Sequence, residues 1–372
     1  MTDLPDIRLP ADMIPSDGRF GSGPSKVLAP SLNSLAETGA SLMGTSHRRP
    51  AVRGVVAEVQ DGLRNLYDLP DDYEVLLGNG GATAFWDAAA FSLIENRSQH
   101  LSIGEFSSKF VKVTSGAPHL ADPDVIEADY GQGAELRADS NIDAYATIHN
   151  ETSTGVKLAV TRPDSDGLVL VDATSAAGAV SVDHGEYDVY YFSPQKAFGS
   201  DGGLFVAICS PAAVERIEAL AESERWIPPF LDLKTALDNS RKNQTNNTPA
   251  IATMYLLARQ IEMMLIKGGL GWAIKRSEAS SATLYDWAEA SDIASPFVTD
   301  PDLRSTTTVT IDLVDNIDAD TVEGVLRANG IVDTFGYRKL GRNQLRVACF
   351  PNVEPADVAM LTAAIDYVAE QV

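Results

Sequence analysis

The chain has 372 residues, 44% of them hydrophobic, which is more than one ordinary core uses, so two domains are expected. Lys and Arg number 29 against 52 Asp and Glu, and the formal charge of −23 opposes nucleic-acid phosphates and anionic membranes as partners. An anionic small substrate would therefore need a local cationic pocket.

Residues 1–30 are rich in proline and glycine and are expected to run extended over the surface. They begin without a basic leader followed by an apolar core, and no apolar run in the chain approaches bilayer length, so a cytosolic protein is expected. Phe20-Gly-Ser-Gly-Pro-Ser25 is dense in glycine, but no strand leads into it, so it is not a dinucleotide fingerprint. In Gly44-Thr-Ser-His-Arg-Arg-Pro50, the residues His47, Arg48 and Arg49 form a rare positive cluster, for which a solvated loop is the plainer reading. The spacing of Val55, Val56, Val59, Leu63 and Leu66 is helical, so this cluster sits just ahead of a helix, and helix N-termini favour anions.

Glu74–Gly78 reads as a strand, Asn79-Gly-Gly-Ala-Thr83 as a tight turn and Ala84–Ile94 as a helix. Such a unit makes a phosphate cradle, because glycine lets backbone N–H groups approach an anion and the helix dipole adds attraction. A second strand, turn and helix follows at Leu101–Ser108, with Phe106 at the turn, where core packing is the alternative. Ala144–Ile148 is a third strand, opening into His149-Asn-Glu-Thr-Ser-Thr-Gly155. Leu168-Val-Leu-Val-Asp172 is an apolar strand ending in a carboxylate.

Residues 189–192 and 204–209 read as buried strands, and the Ser-Pro-Gly turn between them carries a single lysine, Lys196. That lysine is either solvated or an amine whose pKa is lowered beside buried strands, so that it can form a Schiff base. Asp172 upstream favours the second reading. An acid for a ring nitrogen, then a Schiff-base lysine one strand later, is what a pyridoxal phosphate enzyme needs. Strands and helices alternate to residue 220, which predicts an α/β fold with a mainly parallel, helix-covered sheet and its site at the strand ends.

After a helix from Pro211 to about Glu224, residues 225–247 are polar and irregular, ending in Asn246-Asn-Thr-Pro249, a helix N-cap signal. The helix from Ile251 to about Lys267 stops at Gly268-Gly269, a natural domain boundary. Beyond it come another helix, a Thr-rich strand (Ser305–Leu313), a helix near Thr321–Asn329, the strand Gln344–Phe350 and a terminal helix with Val358, Leu361, Ile365 and Val368 on one face. The expected division is an extended segment 1–19, a large domain 20–268 and a smaller α+β domain 269–372. Cys209 and Cys349 lie in apolar runs without metal-ligand spacing and read as buried reduced thiols, and no metal is expected.

Taken in order, Phe20-Gly-Ser-Gly-Pro-Ser-Lys26, Ser46-His-Arg48, Gly78-Asn-Gly-Gly-Ala-Thr83, His149-Asn-Glu-Thr152, Val171-Asp-Ala-Thr174, Ser193-Pro-Gln-Lys196, Asn247-Thr-Pro249 and Leu345-Arg-Val-Ala348 span nearly the whole chain. With this set the chain resembles the phosphoserine aminotransferases, of the fold-type-I pyridoxal phosphate enzymes, and looks most similar to their actinobacterial form. The resemblance implies Lys196 as Schiff-base lysine and general base, Asp172 as partner of the pyridine nitrogen, and Phe106 as the aromatic stacked on the cofactor, where better-studied members have tryptophan. Gly81, Ala82 and Gln195 would contact the cofactor phosphate, and Thr152 would lie beside the cofactor hydroxyl. Asn247 and Thr248 would reach that phosphate from the other subunit of a homodimer with shared sites. Arg346, assisted by Arg338, would clamp the α-carboxylate, and His47 with Arg48 would bind the distal phosphate or γ-carboxylate. The implied reaction converts O-phospho-L-serine and 2-oxoglutarate to 3-phosphooxypyruvate and L-glutamate by ping-pong transamination in serine biosynthesis. Two alternatives share the cofactor residues: an alanine or serine glyoxylate aminotransferase, and a non-catalytic pyridoxal phosphate-binding protein.

Overall fold

A strand whose every residue is apolar has no solvent face, and it is stable only with helices on both sides. The computed structural model, which describes residues 4–372, builds its larger body on this rule. The N-terminal half supplies α1 (Ala29–Thr38), α2 (Pro50–Tyr67), β1 (Glu74–Asn79), α3 (Gly81–Ser92), β2 (Ser98–Ser102), α4 (Glu105–Gly116), β3 (Asp124–Glu127) and β4 (Ala144–Ile148). A small hairpin, β5 (Asn150–Glu151) and β6 (Val156–Lys157), leads to β7 (Leu168–Asp172), β8 (Val189–Phe192) and β9 (Leu204–Cys209). Next come α5 (Pro211–Glu222), α6 (Leu233–Ser240) and α7 (Ile251–Lys267).

The seven-stranded sheet has the order β1-β9-β8-β7-β4-β2-β3, and only β9 runs against its neighbours. Strand alternation divides the core in two. Val169, Val171, Tyr190 and Phe192 pack with α2 and α7, while Leu168, Leu170, Val189 and Tyr191 pack with α3 to α6. Each such side chain contributes about 1.5–3 kcal/mol on burial. Asp172 continues the even-numbered set, so its carboxylate emerges on the α3 side of the sheet.

The smaller body consists of α8 (Gly269–Ala290), β10 (Ala294–Pro296), β11 (Thr308–Leu313), α9 (Ala319–Ala328), β12 (Gln344–Ala348) and α10 (Pro355–Ala369), with an antiparallel sheet β10-β11-β12. Val358, Leu361, Ile365 and Val368 of α10 enter its core, as their spacing predicted. The α7–α8 junction falls at Gly268, in a left-handed conformation (φ 120°) that glycine adopts without strain.

Three local expectations are corrected. The N-terminal stretch is not confined to the surface: Leu9 and Phe20 join the C-terminal core, and Phe20 trades backbone hydrogen bonds with Val332 and Ala348. Residues 225–247 are not wholly irregular, because Asp232 caps α6 by accepting from the N–H groups of Lys234 and Thr235, and Leu233 and Leu237 are buried. The stretch Asn246–Pro249 does not cap α7; the cap is Ala250, and the Thr248 hydroxyl pairs with His47 instead. Both cysteines are free and buried, and burial pushes their thiols up. Among the described residues no helix is long and apolar enough to cross a membrane, and no cluster of His, Cys, Asp or Glu is arranged to hold a metal ion.

Candidate active site

Chain reversal between β8 and β9 drives the turn Ser193–Ser200 inward, and Lys196 is left only 7% exposed. Burial, and then the nearby Arg346 guanidinium, lower its pKa from 10.5 to about 7. Its Nζ donates to the Ser22 carbonyl and lies 3.5 Å from the Thr152 hydroxyl and 5.8 Å from the centre of the Phe106 ring. The segment carrying Ser22 is pinned over the turn, because the Ser25 N–H donates to the Gln195 carbonyl and the Ser25 hydroxyl to that of Lys196.

Lys196 opens onto a cavity of about 280 Å³ that also takes in Gly81, Ala82, Phe106, Thr152, Asp172 and Gln195. Seven residues spread over more than a hundred positions of the chain thus line one cavity. At one end the N-terminus of α3 points in with no side chain capping it. Gly80 and Gly81 enter that helix at φ 110° and 80°, a left-handed path that suits glycine and leaves the first N–H groups to an anion. At the other end stands Asp172, 6% exposed, its carboxyl pushed up by burial and held back by the N–H groups of Thr174 and Trp86. Phe106 offers a flat face to the same cavity. Gln195 Oε1, Asn150 Oδ1 and Thr174 Oγ1 border the same cavity and are buried without partners, which marks a space built for a polar guest. A planar heterocycle carrying a phosphate fits these residues: anion at α3, ring nitrogen at Asp172, reactive carbon at Lys196.

Arg346, on β12, comes in from the smaller body. One guanidinium nitrogen donates to the Thr152 carbonyl at 3.2 Å, while Nε is buried without a partner and so has a donor to give. The other expected residues lie outside this lining. Arg338 sits over the Phe335 ring, 5.8 Å from its centre. His47 and Arg48 are tied to the segment before α7, His47 through Thr248 Oγ1 at 3.0 Å and Arg48 through Gln244 Oε1 at 2.9 Å. Asn247 and Thr248 are exposed beside them. Burial, and then Arg48, hold the His47 imidazole below its ordinary value.

Sequence reasoning missed Glu151. Its fully buried carboxylate accepts from the N–H groups of Phe106 and Ser107 at the start of α4 and from the Ser107 and Ser153 hydroxyls. One anion therefore locks Phe106 to the hairpin that carries Thr152, and it complements the α4 dipole. The only signal was its place inside His149-Asn-Glu-Thr152. Lys339 was missed too: it pairs with Glu105 of α4, while Tyr337 lies 5.9 Å from Phe106, so the loop before β12 closes over the same wall.

Comparison with known proteins places the chain in a described group. Residues 132–338 match the family model described as aminotransferase class-V. The chain is 57% identical over 374 residues to the phosphoserine aminotransferase of Nocardioides sp., with 100% of both chains covered. To that of Rhodococcus opacus it is 55% identical over 373 residues, again with 100% of both covered. A solved phosphoserine aminotransferase from Cytophaga hutchinsonii aligns with a TM-score of 0.87 and 26% identity, over 94% of this chain and 99% of that one.

Proposed function

The chain belongs to the class-V aminotransferase family, and from that premise we propose that it is a pyridoxal phosphate enzyme converting O-phospho-L-serine and 2-oxoglutarate to 3-phosphooxypyruvate and L-glutamate. The single observation that carries this reading is a buried lysine of lowered proton affinity sharing one cavity with a buried carboxylate and an uncapped helix N-terminus. Pyridoxal phosphate, when bound, supplies an electron-withdrawing ring that stabilises the charge left by the departing substrate α-proton.

The residues of the chain divide the remaining work. Lys196, largely neutral above about pH 7, offers Nζ first as an attachment point and then as the base that takes and returns the α-proton. Asp172 would keep the ring nitrogen protonated, the α3 N-terminus with Gly81, Ala82 and Gln195 would hold the phosphate, and Thr152 would lie beside the ring hydroxyl. Phe106, fixed by Glu151, covers the ring face. Arg346 receives the substrate α-carboxylate through the donor it has left open, and Arg338 assists from the adjoining loop. His47 and Arg48 select the distal phosphate or γ-carboxylate. They lie outside the cavity of their own subunit, tied to Thr248 and Gln244, and in the homodimer of this proposal the same surface, with Asn247 and Thr248, would complete the cavity of the partner subunit. We take residues 20–268 as the cofactor-binding domain and 269–372 as the small domain, in a cytosolic enzyme of serine biosynthesis.

The test is a spectral titration of the protein loaded with pyridoxal phosphate against phosphoserine, glutamate, alanine and serine. The cofactor band should respond to phosphoserine and glutamate at far lower concentrations than to alanine or serine. The reverse order would support a glyoxylate-type aminotransferase, and a band that none of them moves would support a non-catalytic binder.

A further inference from the structure

Asp172 is the carboxylate that the proposed reaction needs in its charged form, yet it is buried at the end of an apolar strand. Two residues oppose its burial, both as hydrogen-bond donors rather than as cations. One is Thr174, whose backbone N–H donates to Oδ1 at 2.9 Å and comes with the chain whatever the side chains are, and whose hydroxyl acts in the same direction. The other is a side chain with no role assigned so far. The indole Nε1 of Trp86 donates to Asp172 Oδ2 at 3.2 Å and shares its proton with the Tyr191 hydroxyl at 3.1 Å.

Trp86 belongs to the second turn of α3, the helix whose first turn carries Gly81 and Ala82, and it faces the sheet on the side where Asp172 emerges. It is 3% exposed, lies nearly parallel to the Phe110 ring and borders the cofactor cavity. An indole N–H can only donate. A carboxyl partner must therefore present a lone pair to it, and the ionised carboxylate, with no O–H of its own and negative charge on both oxygens, is the stronger acceptor. A phenylalanine would fill the same wall without that bias.

We propose that Trp86 is a positioning residue for the proposed transamination: its indole N–H orients Asp172 and keeps it anionic for the ring nitrogen of the cofactor. This rests on the pyridoxal phosphate reading above and adds a residue that touches the reaction only through Asp172. One helix would then hold the cofactor at two places, by its N-terminal N–H groups at the phosphate and by Trp86, through Asp172, at the ring nitrogen.

The experiment is a double-mutant cycle read as the dissociation constant of pyridoxal phosphate from apoprotein, followed by visible absorbance. A hydrogen bond to a charged group corresponds to about a ten- to hundredfold change, so Trp86→Phe should raise the constant by about tenfold or more. Asp172→Asn should raise it further. In the Asp172→Asn background Trp86→Phe should add little, because the group it acts through is gone. In the wild-type background it should lower kcat for phosphoserine with KM nearly unchanged, and Trp86→His, which keeps an N–H donor, should recover part of both losses. Equal losses from Trp86→Phe in the two backgrounds, or no loss in the first, would overturn the proposal and leave Trp86 as wall packing. If Trp86→Phe does not fold, the same cycle run with Trp86→His decides, since an N–H donor acting through Asp172 must lose its effect once Asp172 is amidated. A wild-type protein that binds no pyridoxal phosphate would instead sink the cofactor reading itself.

Discussion

Replacing Lys196 with methionine should stabilise the cofactor-free protein in acid and lose that advantage in base. The unfolded chain holds the lysine proton up to about pH 10.5, whereas the folded chain holds it only to about pH 7. Between those values the unfolded state carries the extra proton, so folded stability rises with pH through the window. Below it both states are protonated, and the folded state bears the full cost of a buried ammonium. At about 1.4 kcal/mol per decade of proton affinity, the fall from 10.5 to about 7 corresponds to about 5 kcal/mol. Methionine removes that cost but leaves the Ser22 carbonyl without its donor, a pH-independent loss of about 1–3 kcal/mol. The net gain at about pH 6.5 should be about 2–4 kcal/mol, and it should shrink by about 2–3 kcal/mol by about pH 9. Urea denaturation of apo wild type and Lys196→Met side by side at the two pH values measures the difference. A stability difference that does not change with pH would refute a desolvated amine at Lys196 and, with it, the physical basis for its reactivity.

Arg48→Ala should lower kcat/KM for phosphoserine and glutamate by about tenfold or more while barely changing the slow rate with alanine, whereas Arg346→Ala should lower all three, since every amino acid carries an α-carboxylate. Steady-state kinetics on the three donors tells whether the Ser46-His-Arg48 loop selects the distal anion or only braces the fold. Mixing Lys196→Ala with an Asn247→Ala/Thr248→Ala double variant, each inactive alone, should restore activity in the heterodimer fraction if sites are shared across the interface; isolated heterodimers without activity would mean that each subunit works with its own residues.

Sequence pattern by itself determined the elements whose residues repeat a physical demand. Residues 168–171, 189–192 and 204–209 are apolar or aromatic without interruption, and only strands covered on both faces satisfy that, so the α/β sheet was legible in the sequence. The same holds for α2 and α10, whose apolar stripes have helical spacing. Lys196, Asp172 and the turn ahead of α3 could be picked out because each breaks such a pattern with a group that apolar surroundings do not tolerate idly. Less legible was α6, eight residues among polar ones, whose apolar face is too short to show a period.

Tertiary structure alone decided which of these residues meet. Glu151 and Phe106 lie forty-five positions apart and Trp86 and Asp172 eighty-six, and no local rule links either pair. Glu151 looks like any polar loop residue until the hairpin lays it against the start of α4, and Trp86 looks like core until strand alternation turns Asp172 toward α3. The His47–Thr248 contact is of the same kind, since it puts the basic loop beside the segment before α7 rather than beside Lys196. Local propensity acts within a few residues, so it can say what each segment becomes. The partners of a buried charge are chosen by which faces the sheet and its helices bring together, and that is a property of the packed chain.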